Sequence, residues 1–137
     1  MGTQTALPGL LADDVLTGVF ALAKAASRKE RLAFRGHDSA LQEIFLGIQQ
    51  RLHPALLKDF VFSDSGPKPY CPILSESISR LQLSGLVGRE NPDYEVVFLR
   101  PSAESYFDEV LKKRFSREDL AQLEQIATEF LRSIQLK

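Results

Sequence analysis

The sequence predicts an α+β fold, mostly α, from three observations. Apolar residues recur at helical steps of three and four through five separate stretches, one short region between them reads as a two-armed hairpin, and Gly and Pro mark the junctions. A chain of 137 residues, 44% hydrophobic and 26% charged with no low-complexity tract, has the size and composition of one domain around one core.

In the first helix, Leu11, Val15, Leu16, Val19, Leu22 and Ala26 line one face, and Pro8 and Gly9 precede it. Asp13 and Asp14 at its start, and Lys24 and Arg28 near its end, suit the helix dipole. Residues 1–9 are expected to be disordered. "SRKERLAFRGHD" breaks the periodicity, and Asp38 or Ser39 is expected to cap a second helix that carries Leu41, Ile44, Phe45, Ile48 and Leu52 and ends near Pro54. "PALLKDF" has room for another turn. "FVFSDSGPKP" reads as a short strand at Phe60 to Phe62 running into a Gly- and Pro-rich loop.

Pro72 suits the first position of a third helix, where its missing N–H costs nothing, and Leu74, Ile78 and Leu81 form its buried row. Gly85 is placed to end it in the left-handed conformation. Leu86 and Val87 begin a strand, "NPD" turns the chain, and "YEVVFL" returns as the second arm. Ser102 is expected to cap a fourth helix bearing Tyr106, Phe107, Val110 and Leu111. Ser116 with Asp119 approximates a capping box for a fifth. That helix repeats Leu120, Leu123, Ala127, Phe130 and Ile134 as an apolar seam, widened by Ile126 and Leu131. Docking onto its own domain is the expected use of this seam; the alternative is a homodimer through the helix at Ser116–Ile134.

Helix, helix, short strand, helix and hairpin is the order of a winged helix-turn-helix, a three-helix core with a β-hairpin wing, here followed by two additional C-terminal helices. The expected organisation is a single domain over 1–137. Residues 60–100 would form the recognition helix and wing, and 102–136 a C-terminal helical extension.

Within that middle part, "FVFSDSGPKPYCPILSESISRLQLSGLV" resembles the Panacea-type (SocA-like) antitoxin-associated winged-helix families, whose members carry a Gly-Pro-Tyr-Ser-x-x-Leu run followed by a Leu-x-x-x-Gly-Leu-Ile type ending. Pro69, Tyr70, Leu74, Leu81, Gly85 and Leu86 hold comparable places, and Cys71 replaces the usual Ser. "PK" after Gly66 departs from the pattern, and "LQEIFLGIQQ" lacks the basic and aromatic signature expected in the second helix. The resemblance covers residues 60–100. It implies a non-enzymatic protein that neutralises or delivers a protein partner by direct contact.

Winged helices also bind DNA, which makes the third helix a candidate reader. With its apolar row inward, Ser75, Ser79 and Gln82 face outward, with Glu76, Arg80 and Leu83 on the flank, and Arg89 on the wing lies near a phosphate path. Arg80 follows Glu76 by four residues and is expected to share its charge. Between Tyr70 and Arg100 three arginines face four carboxylates, and the whole chain carries a net charge of −1, so phosphate contacts are scarce where a reader needs them. The densest basic patch is Arg28, Lys29, Arg31 and Arg35, with "KKRFSR" at Lys112 to Arg117 as a second; a charge run at a helix end is usually a solvated cap. These features favour a protein partner over DNA, with a dimeric DNA-binding regulator as the alternative.

Catalytic signatures are absent. His37 and His53 have no metal-ligand spacing around them, no nucleotide or hydrolase fingerprint occurs, and no cofactor, metal or small-molecule cofactor is expected. "GHD" at His37 and Asp38 reads as a turn with a helix cap rather than an acid/base pair. Cys71 precedes a helix N-terminus, where a dipole can activate a thiol, but cap and hydrophobic filler is the expected role; an enzyme using Cys71 is the remaining alternative. One cysteine and no membrane-length apolar run fit a cytoplasmic protein without membrane contact.

Overall fold

The computed structural model describes residues 11–63, 66–90 and 95–134. The segment 1–9, expected to be disordered, and the hairpin turn "NPD" lie outside them. Helix α1 (Ala12–Ser27) opens with the Leu11 N–H donating to the Asp14 carboxylate at 3.2 Å, which satisfies one donor that a helix start leaves unpaired. The helix ends on Arg28 in the left-handed conformation, φ 59°. Val15, Leu16, Val19, Phe20 and Ala23 are all buried, because α1 runs through the centre of the molecule against three other helices.

Strand β1 (Ala33–Arg35) lies in the stretch where the helical pattern breaks, and the strand expected at Phe60 to Phe62 does not form. Only an isolated bridge, Ser63 to Tyr70, joins that region. Phe60 is needed in the core instead: it is 1% exposed, with its ring 6.2 Å from that of Phe45. Helix α2 (Asp38–Leu52) starts at His37 without a side-chain cap, so neither Asp38 nor Ser39 plays the expected role. A 3-10 turn, Ala55–Leu57, follows.

The connection from His53 to Cys71 is far longer than the three- or four-residue turn of a helix-turn-helix. Two glutamines on α2 hold it. Gln49 Nε2 donates to the Leu57 and Phe60 carbonyls at 3.0 and 2.7 Å, and Gln42 binds the backbone of Cys71. From the helix at Arg117–Ser133, Gln122 Oε1 accepts the Leu56 N–H at 2.6 Å.

Helix α3 (Pro72–Leu83) begins with Pro72 in its first turn and ends in a Schellman arrangement, with Leu86 N–H donating to the Leu81 carbonyl, Gly85 N–H to that of Gln82, and Gly85 at φ 79°. Strands β2 (Val87–Glu90) and β3 (Val96–Leu99) form the hairpin, and β1 adds to its other edge, giving an antiparallel sheet in the order β1-β3-β2. Phe34 opposes Val97, and Gly88 opposes Phe98. A Cβ on Gly88 would stand 2.4 Å from the Phe98 ring, so the ring lies flush on the strand.

Helix α4 (Pro101–Glu109) starts at Arg100; Ser102, expected as its cap, instead donates to the Gly85 carbonyl at 2.9 Å. After a 3-10 turn at Leu111–Arg114, helix α5 (Arg117–Ser133) is capped by Ser116, whose Oγ accepts the Asp119 N–H at 3.0 Å. Leu123, Ile126, Ala127, Phe130 and Ile134 all turn inward. The Phe130 ring lies 5.2 to 5.6 Å from those of Phe34, Phe20 and Phe45, tying α5 to β1, α1 and α2. The seam that suggested a dimer is therefore occupied by the chain's own core, and the face left outward carries Glu124, Gln125, Thr128 and Arg132.

Candidate functional site

The inward row of α3 is as expected: Leu74, Ile78 and Leu81 are at most 4% exposed, and Ser77 joins them, fully buried. The outward face is different. Helical geometry sets Pro72, Glu76, Ser79 and Leu83 opposite the buried row, and all four are exposed, Leu83 by 88%. Of the expected readers on α3, Ser79 alone stays on this row, and Ser75, Gln82 and Arg80 lie to either side. On one flank, Ser75 is half-buried, donating to Asp38 Oδ1 at 2.6 Å and accepting from Gln42 Nε2 at 3.1 Å, while Gln82 Oε1 accepts from Arg89 Nε at 3.1 Å.

Arg80 occupies the other flank. Its Nε and Nη2 donate to the two carboxylate oxygens of Asp13 at 2.8 and 2.9 Å, so its hydrogen-bonded partner lies on α1, while Glu76, the partner the spacing suggested, acts on it through charge alone. The fork geometry of the guanidinium matches both oxygens at once, a fit the flexible Glu76 side chain on the same helix does not reach here. Burial pushes the Asp13 carboxyl up, but hydrogen bonds from Arg80 and Ser77 and the Arg80 charge outweigh it and hold it below the usual range. The same hydrogen bond raises Arg80.

Arg89, half-buried, donates to the Gly36 carbonyl at 3.0 Å, and burial lowers its guanidinium, partly offset by the charge of Asp38. Of the five reading candidates, Ser79 alone is exposed without a hydrogen bond to the described residues.

The basic patch is also divided. Arg31 pairs with Glu90 and stacks 4.3 Å over the Phe98 ring, and Arg35 pairs with Glu95 at 3.2 Å, so these two arginines pin β1 and its lead-in to the wing. Arg28 and Lys29 remain exposed and make no ion pair among the described residues. Glu90, one of the four carboxylates between Tyr70 and Arg100, is the Arg31 partner, and Asp93, another, lies outside the described residues.

His37 and His53 stand at opposite ends of α2, which separates them by some 20 Å of helix. Cys71 occupies the N-cap position of α3 without a side-chain cap bond, and its thiol is fully buried. Among the described residues no group of three metal-ligating side chains comes together, and no helix is long and apolar enough to cross a membrane.

Apolar exposure is what the sequence reading missed. Leu83 and Ile73 on α3, with Tyr70 and Val61 on the loop before it, are exposed by 88, 37, 43 and 69%. The signal was present in the helix itself, since Ile73 and Leu83 fall off the row defined by Leu74, Ile78 and Leu81. A scan against family models, a search of curated proteins and a search of solved structures each returned no match for this chain.

Proposed function

We propose that the chain is a non-catalytic winged-helix interaction module, antitoxin- or adaptor-like, that contacts a protein partner through the outward row of α3. The order α1, β1, α2, α3, β2, β3 keeps the three helices and the hairpin wing of the expected winged helix, with the short strand before α2 instead of after it, and this supports the reading of the fold. The likeness of residues 60–100 to antitoxin-associated families points the same way.

The observation that carries the proposal is the chemistry of that row. Pro72, Glu76, Ser79 and Leu83 present two apolar side chains, one hydroxyl and one carboxylate, with no cation. The nearest arginines, Arg80 and Arg89, are held by Asp13 and by the Gly36 carbonyl. A DNA reader needs free Lys and Arg facing the backbone, whereas an exposed Leu at the end of the row suits an apolar pocket on a protein. The buried Cys71 thiol also argues against its use as a nucleophile.

Titration with mixed-sequence duplex DNA at about 50 and 200 mM salt tests the reading, because phosphate contacts must appear as a salt slope. The expected result is no micromolar binding at either salt. Micromolar binding that collapses at the higher salt would replace the proposal with a DNA-binding regulator, for which Arg28 and Lys29, and Lys112, Lys113 and Arg117 of the second basic run, are among the available cations.

A further inference from the structure

We propose that the cleft between the start of α1, the end of α3 and α4 binds a small amphipathic primary ammonium compound, independently of the partner surface on α3. The cleft has a volume of about 560 Å³, within the ordinary range of small-molecule sites. Its apolar walls come from Leu11, Leu81, Leu86 and Tyr106. Asp14 and Thr17 also line it and are only 9 and 2% exposed.

The polar groups in the cleft share one property. Thr17 Oγ1 donates its proton to the Asp13 carbonyl at 2.8 Å, Ser84 to that of Arg80 at 2.9 Å, and Ser102 to that of Gly85 at 2.9 Å. Each hydroxyl has thereby committed its only proton to the backbone and keeps lone pairs alone to offer. Both oxygens of Asp13 are engaged by Arg80. Asp14 accepts the Leu11 N–H at 3.2 Å, and its other contact is Arg114 at 4.0 Å, a half-exposed side chain on the rim. Among the described residues, a carboxylate with about four acceptor sites, its side chain 12% exposed, keeps acceptor capacity to spare at the inner end of an apolar cleft.

A ligand complementary to such a lining brings donors and positive charge at one end and a hydrocarbon body behind them. An –NH₃⁺ group offers three donors; set on Asp14, it displaces the long Arg114 contact, while an alkyl or aryl body covers Leu81, Leu86 and Tyr106. An anionic ligand would meet the two aspartates and the hydroxyl lone pairs, with Arg114 on the rim as the one cation that lines the cleft.

The test is titration of the full chain, followed by backbone amide chemical shifts, with three matched compounds: 2-phenylethylammonium, 2-phenylethanol and phenylacetate. Saturable shifts at Thr17, Ser84, Leu86 and Ser102 are expected for the ammonium compound only. Asp14→Asn, which keeps an acceptor for Leu11, should weaken it about tenfold or more, the usual worth of a hydrogen bond to a charged group. Should that variant fold poorly, Ser84→Phe, at an exposed position on the cleft wall, should abolish the same shifts by filling the space. Equal response to the three compounds, no response to any, a preference for phenylacetate, or undiminished binding in a folded Asp14→Asn or Ser84→Phe would each overturn the proposal.

Discussion

The side-chain amide of Gln42 is locked head to tail onto the backbone of Cys71: Oε1 accepts the Cys71 N–H at 2.7 Å, and Nε2 donates to the Cys71 carbonyl at 3.0 Å. Gln42 is 3% exposed and Cys71 fully buried, so water cannot substitute for either bond. The pair joins the middle of the molecule to the start of α3, across a long connection that has almost no regular structure of its own.

Gln42→Leu keeps nearly the same volume and leaves the buried Cys71 N–H without a partner, while the Cys71 carbonyl keeps only the 3.4 Å bond from the Ser75 N–H. An unpaired buried donor costs about 1–3 kcal/mol, so the loss in urea unfolding should be roughly 1–3 kcal/mol. Labelling of the Cys71 thiol should be slow in the native protein and faster in the variant, because the start of α3 is released. A stability change under about 0.5 kcal/mol would contradict the assigned role.

The Arg80 to Asp13 bridge predicts a specific pH dependence. The folded carboxyl lies below its unfolded value of about 3.9, so the bridge's contribution is fully present above that pH and is lost as pH falls through the lower folded value. Solvent reaches half of the Arg80 side chain and screens the pair, which limits the contribution to about 0.5–1 kcal/mol. Asp13→Asn should therefore be less stable than the parent at pH 7, and the gap should close as pH falls through the lowered folded value of Asp13. A gap that persists in acid would show that Asp13 acts through packing instead.

Gly18 sets the distance between α1 and α5. A Cβ there would lie 2.6 Å from Leu123 Cδ2 and 3.1 Å from Phe107 Cε1, both in fully packed side chains. Gly18→Val should lower stability by about 1–3 kcal/mol in chemical denaturation, despite the gain in helix propensity over Gly. An unchanged or higher midpoint would mean that the two helices can separate at no cost.

The sequence by itself determined the helices, the buried row Leu74, Ile78 and Leu81, the left-handed Gly85 and the Ser116 cap. Each follows from neighbours within a few residues, where apolar periodicity records which face leaves water and caps record where backbone groups lack partners. Tertiary structure alone decided β1, since Ala33–Arg35 becomes a strand only by pairing with Val96–Phe98, far along the chain. It likewise chose Asp13, 67 residues away, over Glu76, four away, as the hydrogen-bonded partner of Arg80. It also turned Gln42 inward to Cys71 and opened the cleft over Asp14. A side chain's partner depends on how whole helices are brought together, and no local repeat in the sequence carries that distance.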